Sequence, residues 1–246
     1  MAAFIMQEIP KRIWQTYKDD RDTLPDYIKQ TSNTWIEHNP DYEYNYMNDR
    51  EAADFILNVY GEEIQKIWLS LPLGVMRGDM WRYLIIYHYG GIYADIDAIS
   101  RKPIDTWIRQ DAGMIICPEH EEHFCQWIFA ATPRHPAIKS IIEVMLERLR
   151  NPKYDIPHGV HYHTGPAVYT SGLFKYFGHD ENKEHANLLD AEKWGGQKKS
   201  VYIYNGDMCR IFHGIAGENL YGSLFWGSDY VKWQSQIDGE GRIIIP

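Results

Sequence analysis

Two aspartates separated by one residue, Asp95 and Asp97, close an apolar run in this 246-residue chain. Oxygen ligands paired in this way suit a hard divalent cation, Mn2+ or Mg2+, and such an ion can neutralise the charge that gathers on a departing phosphate. Spacing alone does not establish this, because Asp20-Arg21-Asp22 repeats the pattern in a polar loop with no strand before it, where it reads as solvated charge. Context separates the two copies. Gly90-Gly91 precedes the segment Ile92 to Ala98, in which Ile92, Ala94, Ile96 and Ala98 fall on one face and Tyr93, Asp95 and Asp97 on the other.

Asp79 and Arg82 are three residues apart on one face of a helical segment that is otherwise densely apolar. On a solvated surface such a pair contributes only about 0.2–0.5 kcal/mol. Within so hydrophobic a helix a charged pair must be satisfied, and sugar hydroxyls would serve both signs. Two aromatic or basic candidates stay open on residue type. His213 follows the run Met208 to Phe212 and precedes a Gly-rich loop that could carry it to a metal, although a lone histidine is more often structural. Trp14 could stack on a base or fill the core.

Elements must hold these groups. Ile9 to Tyr17 reads as a strand, Leu24-Pro25 opens a helix running to about His38, and Tyr42 to Met47 is a second strand. Asn48-Asp49 caps a helix carrying Ala52, Phe55, Ile56 and Val59 inward. Gly74 to Tyr89 is predicted as a helix buried on most sides and stopped by Gly90-Gly91, and the aspartate strand follows. Beyond it, 113–117 and 124–131 read as strands, Pro136 to Leu149 and Gly165 to Phe177 as helices, and 201–204 and 208–212 as a late strand pair after a polar excursion over 180–199. This alternation predicts an α/β fold with a largely parallel central sheet flanked by helices, with ligands beyond the carboxyl ends of its strands. No linker-like stretch divides residues 1–246, so one domain is expected.

Composition limits the partners. Hydrophobic residues at 44% and charged residues at 24% fit a folded domain, and 34 acidic against 25 basic side chains leave a net charge of -9, which excludes a positive field for nucleic acid. The odd set Cys117, Cys125 and Cys209 lacks CxxC spacing and fits reduced thiols. The apolar N-terminal stretch reaches charge at Glu8 and Lys11 and is too short to span a bilayer, and no Asn-x-Ser/Thr acceptor occurs. A cytoplasmic enzyme, or a soluble catalytic domain trimmed from a Golgi-type enzyme, is expected.

The stretches IPKRIWQTY, NPDYEYNYMND, GVMRGDMWRYLIIYHYGGIYADIDAISRKPIDTW, FCQWIFAATPRHP and HTGPAVYTSG together resemble the DXD-containing glycosyltransferases of family 32, in particular the fungal initiating α-1,6-mannosyltransferases and their bacterial and viral relatives. The resemblance covers roughly Ile9 to Gly172. It implies a GT-A fold, a nucleotide-sugar donor, Mn2+ or Mg2+ dependence and retention of anomeric configuration. The implied reaction carries a hexose, first of all mannose from GDP-mannose, to a glycan or other hydroxyl acceptor. The alternatives are UDP-glucose or UDP-galactose transfer, including onto protein side chains, and binding of nucleotide sugars or glycans without turnover, which 9 Trp and 18 Tyr would suit. Carried over by residue, Asp79 and Arg82 contact the sugar, with Asp95 beside them, and Tyr93 lines the donor site. Trp14 and Thr16 meet the nucleotide, and Thr164-Gly165-Pro166 forms a helix start whose free N–H groups suit anions. Asp95, Asp97 and His213 are the metal ligands, with Asp97 in direct contact. The resemblance loosens in the C-terminal third, where Gly222-Ser223 reaches Trp226 only after two more residues.

Overall fold

The strand Arg12–Thr16 (β1) alternates Ile13 toward one side of the sheet and Trp14 toward the other, and pairs in parallel with Glu43–Met47 (β2) and with Gly91–Ala94 (β3). The computed structural model describes residues 8–118, 123–179, 196–198, 200–204, 238–240 and 242–243. Met114–Ile116 (β4), Ile128–Ala131 (β5), Gly196–Lys198 (β6) and Val201–Ile203 (β7) complete a sheet of order β2-β1-β3-β5-β4-β7-β6. Strand β5 runs antiparallel to both β3 and β4, β4 runs parallel to β7, and β6 is antiparallel to β7. The α/β class predicted from the alternation is the one observed.

Helices cover both faces. Asp26–His38 (α1) lies on the side of Ile13, Ile92 and Ile115, where its Trp35 joins Ile104 and Trp107. On the other side lie Asp49–Ser70 (α2), Gly74–Tyr89 (α3), Pro136–Arg150 (α4), Gly159–His163 (α5) and Pro166–Phe177 (α6). Helix α2 starts as the sequence requires: the Glu51 amide donates to the Asn48 side chain at 2.8 Å, and the Glu51 carboxylate accepts from the Asn48 amide at 3.0 Å. Helix α3 is buried on all sides over Asp79–Ile86.

The turn from α3 into β3 explains the double glycine. Gly90 and Gly91 have φ of 67° and 105°. A side chain on Gly90 would meet Pro133 at 2.6 Å, and one on Gly91 the Arg12 carbonyl at 2.6 Å. Three expectations change here. The aspartate strand ends at Ala94, not Ala98, and Asp95–Asp97 form a turn closed by the Ala98 amide on the Asp95 carbonyl at 2.9 Å. The strand expected over 124–131 begins only at Ile128, and β6 lies inside the stretch read as a polar excursion. The run 208–212 lies outside the described residues.

A buried histidine at the start of α4 makes the fold acid-sensitive. The Ala137 amide donates to His135 Nδ1 at 3.2 Å, which leaves Nε2 to carry the proton toward Ser200 Oγ at 2.9 Å. Burial pushes the His135 pKa down to about 4. The unfolded chain, with a His pKa near 6.5, therefore takes up the proton first, so this contribution to stability is present above about pH 6.5 and is lost as pH falls toward 4, by about 3 kcal/mol at most. Thermal unfolding of wild type and His135→Asn at pH 7 and pH 5 checks it: the variant should lose less stability across that interval, and equal losses would refute the assignment.

Candidate functional site

Four charged side chains gather beyond the carboxyl end of β3. Arg82 Nη2 donates to Asp79 Oδ1 at 2.9 Å and to Asp95 Oδ1 at 3.0 Å, so one guanidinium nitrogen bridges two carboxylates from different elements. The Arg82 guanidinium also lies 4.7 Å from the Tyr93 ring centre, and the Tyr93 hydroxyl donates to Asp95 Oδ1 at 2.5 Å. Tyr93 and Asp95 are two residues apart and share a face, as strand geometry dictates. Among the described residues, hydrogen bonds to the Asp95 carboxylate all fall on Oδ1, and its side chain is 29% exposed where that of Asp79 is 2%. Asp95 is thus the open end of the triad.

Asp79 is held from three sides. Besides Arg82, Gln126 Nε2 donates to Oδ1 at 3.3 Å and Thr164 Oγ1 to Oδ2 at 2.9 Å. Burial nevertheless dominates and raises its pKa to about 6, with Arg82, Thr164 and Gln126 pulling down and Asp95 pushing up. Asp97 rises to about 7, by burial and then by the neighbouring Asp95 charge. Asp95 is raised chiefly by burial, against Arg82 and the Tyr93 hydroxyl. Burial opposes the charge on Arg82, but Asp95, Tyr93 and Asp79 more than offset it and raise its pKa. Arg82 Nε is buried without a partner among the described residues, a donor that a ligand hydroxyl could satisfy.

Backbone anchors fix the turn that carries the aspartates. Gln15 Nε2 donates to the Asp95 carbonyl at 2.9 Å, Thr31 Oγ1 to that of Ile96 at 2.8 Å and Trp35 Nε1 to that of Ala98 at 2.7 Å. These side chains, with Gln126 and Tyr83, are the supports that sequence reading missed. Tyr83 had a signal, since it sits four residues after Asp79 on the same helical face; Gln126 and Gln15 had none.

Trp14 is buried in the core, its indole N–H on the Gly90 carbonyl at 2.9 Å and its ring stacked on Tyr89, so the core reading holds for it and it presents no face to a nucleotide. Thr16 is half-buried at the end of β1 and donates to the Met47 carbonyl at 2.7 Å. The amides of Thr164 and Gly165 both donate to the Val160 carbonyl, at 3.0 and 2.9 Å, and Pro166 has no N–H. They are therefore not free for an anion; Thr164 reaches the site through its hydroxyl. His213 lies outside the described residues. Among the described residues no three His, Cys, Asp or Glu side chains converge as a metal cage.

A mixed α/β sheet with an Asp-x-Asp turn at the carboxyl end of a central strand is the layout of GT-A-type glycosyltransferases, and the fold matches the solved structure titled PaToxG Glycosyltransferase with a TM-score of 0.54. That match has 20% identity and covers 69% of this chain and 70% of that one. Residues 25–114, which include Asp79, Arg82, Asp95 and Asp97, match the family described as the glycosyltransferase sugar-binding region containing DXD motif. It is similar to the initiation-specific alpha-1,6-mannosyltransferase of Candida albicans, 25% identical over 238 residues, covering 79% of this chain and 62% of that protein. The Schizosaccharomyces pombe protein of the same name is 29% identical over 196 residues, covering 69% of this chain and 49% of that protein. Inositol phosphoceramide mannosyltransferase 1 of the same yeast is 30% identical over 140 residues, covering 56% and 43%. The chain thus spans less than two thirds of the length of each of these relatives. The resemblance drawn from the motifs is borne out. No helix among the described residues is long and apolar enough to cross a membrane.

Proposed function

We propose that the protein is a metal-dependent, retaining glycosyltransferase that moves a hexose, mannose from GDP-mannose before other donors, onto a glycan or other hydroxyl acceptor. The observation that carries this reading is the bridged set Asp79–Arg82–Asp95, in which Asp79 and Arg82 are buried and Asp95, followed by Asp97, is the open end. The mannosyltransferase names of the relatives favour mannose.

The donor set fits a divalent ion. Asp95 raises the cost of charging Asp97, which a cation would relieve, and Asp95 Oδ2 is left open by its described neighbours. Two carboxylates make a partial cage of the kind that Mg2+ and Mn2+ complete with phosphate oxygens and water. When bound, such an ion supplies charge stabilisation at the leaving diphosphate. The chain's own contribution is orientation: Asp79 Oδ2 and the Arg82 Nε–H, which has no partner among the described residues, offer an acceptor and a donor to sugar hydroxyls, while Tyr93 and Arg82 fix the Asp95 carboxylate.

The test is a donor panel of GDP-mannose, UDP-glucose, UDP-galactose and UDP-GlcNAc, each with Mn2+, Mg2+ or EDTA, following nucleoside diphosphate release and the anomeric configuration of product. GDP-mannose turnover that EDTA abolishes is expected. Turnover of a UDP-sugar in its place overturns the donor, and tight binding without release across varied acceptors overturns the enzyme.

A further inference from the structure

Gln126 lies in the stretch FCQWIFAATPRHP, which assigns it no role, yet every polar atom of its side chain is engaged at the site. Its Nε2 donates to Asp79 Oδ1 at 3.3 Å, its Oε1 accepts from the Tyr83 hydroxyl, and its main-chain carbonyl accepts from Arg82 Nη1 at 3.3 Å. One residue therefore touches both members of the Asp79–Arg82 pair. The next carbonyl, that of Trp127, accepts from the Asp95 amide at 2.8 Å. All three charged groups are thus referenced to the two residues that lead into β5.

We propose that the Gln126 side chain, oriented by Tyr83, makes Gln126 a positioning residue for the transfer reaction, setting the rotamer of Asp79 beside an Arg82 guanidinium whose plane the Gln126 main-chain carbonyl fixes. The proposal rests on the glycosyltransferase reading above. Nη2 of Arg82 is shared between two carboxylates, and a guanidinium held by one nitrogen can turn toward either of them. Its second nitrogen, bound to the Gln126 carbonyl, removes that freedom. The side chain matters separately, because with Arg82 it fills the acceptor positions of Asp79 Oδ1 and leaves only Oδ2, already bound once by Thr164, for a ligand.

Tyr83 fixes which way the amide faces. Its hydroxyl has one proton and two acceptors within reach, Gln126 Oε1 and the Thr164 carbonyl at 2.9 Å. Donation to Oε1 turns Nε2 toward Asp79. A reversed amide would set Oε1 against the carboxylate and is opposed while Asp79 is ionised. Without the Tyr83 hydroxyl, Asp79 alone among the described residues holds the amide in place, so Tyr83→Phe should cost less than loss of the amide itself and should act through it.

The experiment measures kcat, donor KM and thermal unfolding for wild type, Gln126→Met, Tyr83→Phe and the double variant. Methionine keeps length and volume and removes both polar atoms. Expected are a kcat about 10- to 100-fold lower in Gln126→Met, a donor KM changed less than about 3-fold, and cooperative unfolding retained. Tyr83→Phe should lower kcat by about 3- to 10-fold, and the double variant should match Gln126→Met within about 2-fold. A kcat in Gln126→Met within about 3-fold of wild type, or effects of the two substitutions that multiply, would overturn the positioning role. Should Gln126→Met not fold, Gln126→Glu replaces it, and normal turnover there overturns the role equally. A wild type that turns over no donor removes the transferase reading and this role with it, whereas an active wild type matched by the variants removes this role alone.

Discussion

Asp97→Asn is expected to lower metal-dependent transfer by about 1000-fold while leaving the fold in place. The turn that carries Asp97 is held through the carbonyls of Asp95, Ile96 and Ala98 by Gln15, Thr31 and Trp35, all buried. None of these anchors uses the Asp97 carboxylate, so an isosteric amide leaves the turn where it is. What it removes is one of two negative charges facing a cation, and a hard divalent ion loses most of its hold when a carboxylate becomes a neutral amide. Two measurements separate this from a folding defect. Mn2+ should raise the thermal midpoint of wild type, by linkage worth about 2.7 kcal/mol at a hundredfold excess over Kd, and should leave the variant unmoved. Initial rates of diphosphate release should fall in parallel. Turnover within about tenfold of wild type would remove Asp97 from the metal site.

The parts of the fold that follow from local chemistry were readable in the sequence. Asn48 and Glu51 announce α2, the Gly90-Gly91 pair announces the stop of α3, and period-two alternation places Tyr93 and Asp95 on one side of the strand, with Tyr93 on the face of the sheet that α3 covers. What was not readable depends on long-range contact. Alternation in 92–98 continues past the real end of β3, because Ile96 and Ala98 are buried against the α1 side from a turn and not from a strand. Trp14 has the composition of a stacking residue, and only the position of Gly90 and Tyr89 shows that its indole is consumed in the core. Asp79, Arg82, Asp95 and Asp97 stood out because charge in apolar surroundings is costly and needs a reason. The neutral amides Gln15 and Gln126 carry no such signal, although they do much of the holding.

Asp79→Asn is expected to make the protein more stable at pH 7 and nearly inactive, opposite effects from one substitution. Asp79 has a folded-state pKa of about 6 against an ordinary value of 3.8, so the folded chain binds this proton more tightly than the unfolded one. Stability from this group is therefore greatest at low pH and declines as pH rises from about 4 to 6, by about 3 kcal/mol at the upper limit. The direction is the reverse of the His135 effect, so the two must be separated by variants. An asparagine removes the cost of burying the anion, still accepts from Arg82 and Gln126 on its oxygen, and leaves Arg82 paired with Asp95. The midpoint of Asp79→Asn should exceed that of wild type at pH 7, and the gap should close by pH 4. Transfer should fall by at least about 100-fold, since the amide turns a donor toward Thr164 and the sugar where the wild type has an acceptor. A variant less stable than wild type at pH 7 would mean that the Arg82 attraction outweighs burial, and that the site is built for stability as well as for chemistry. A more stable and inactive one would mean that the fold carries an ionised Asp79 at a cost, which only a use for that charge explains.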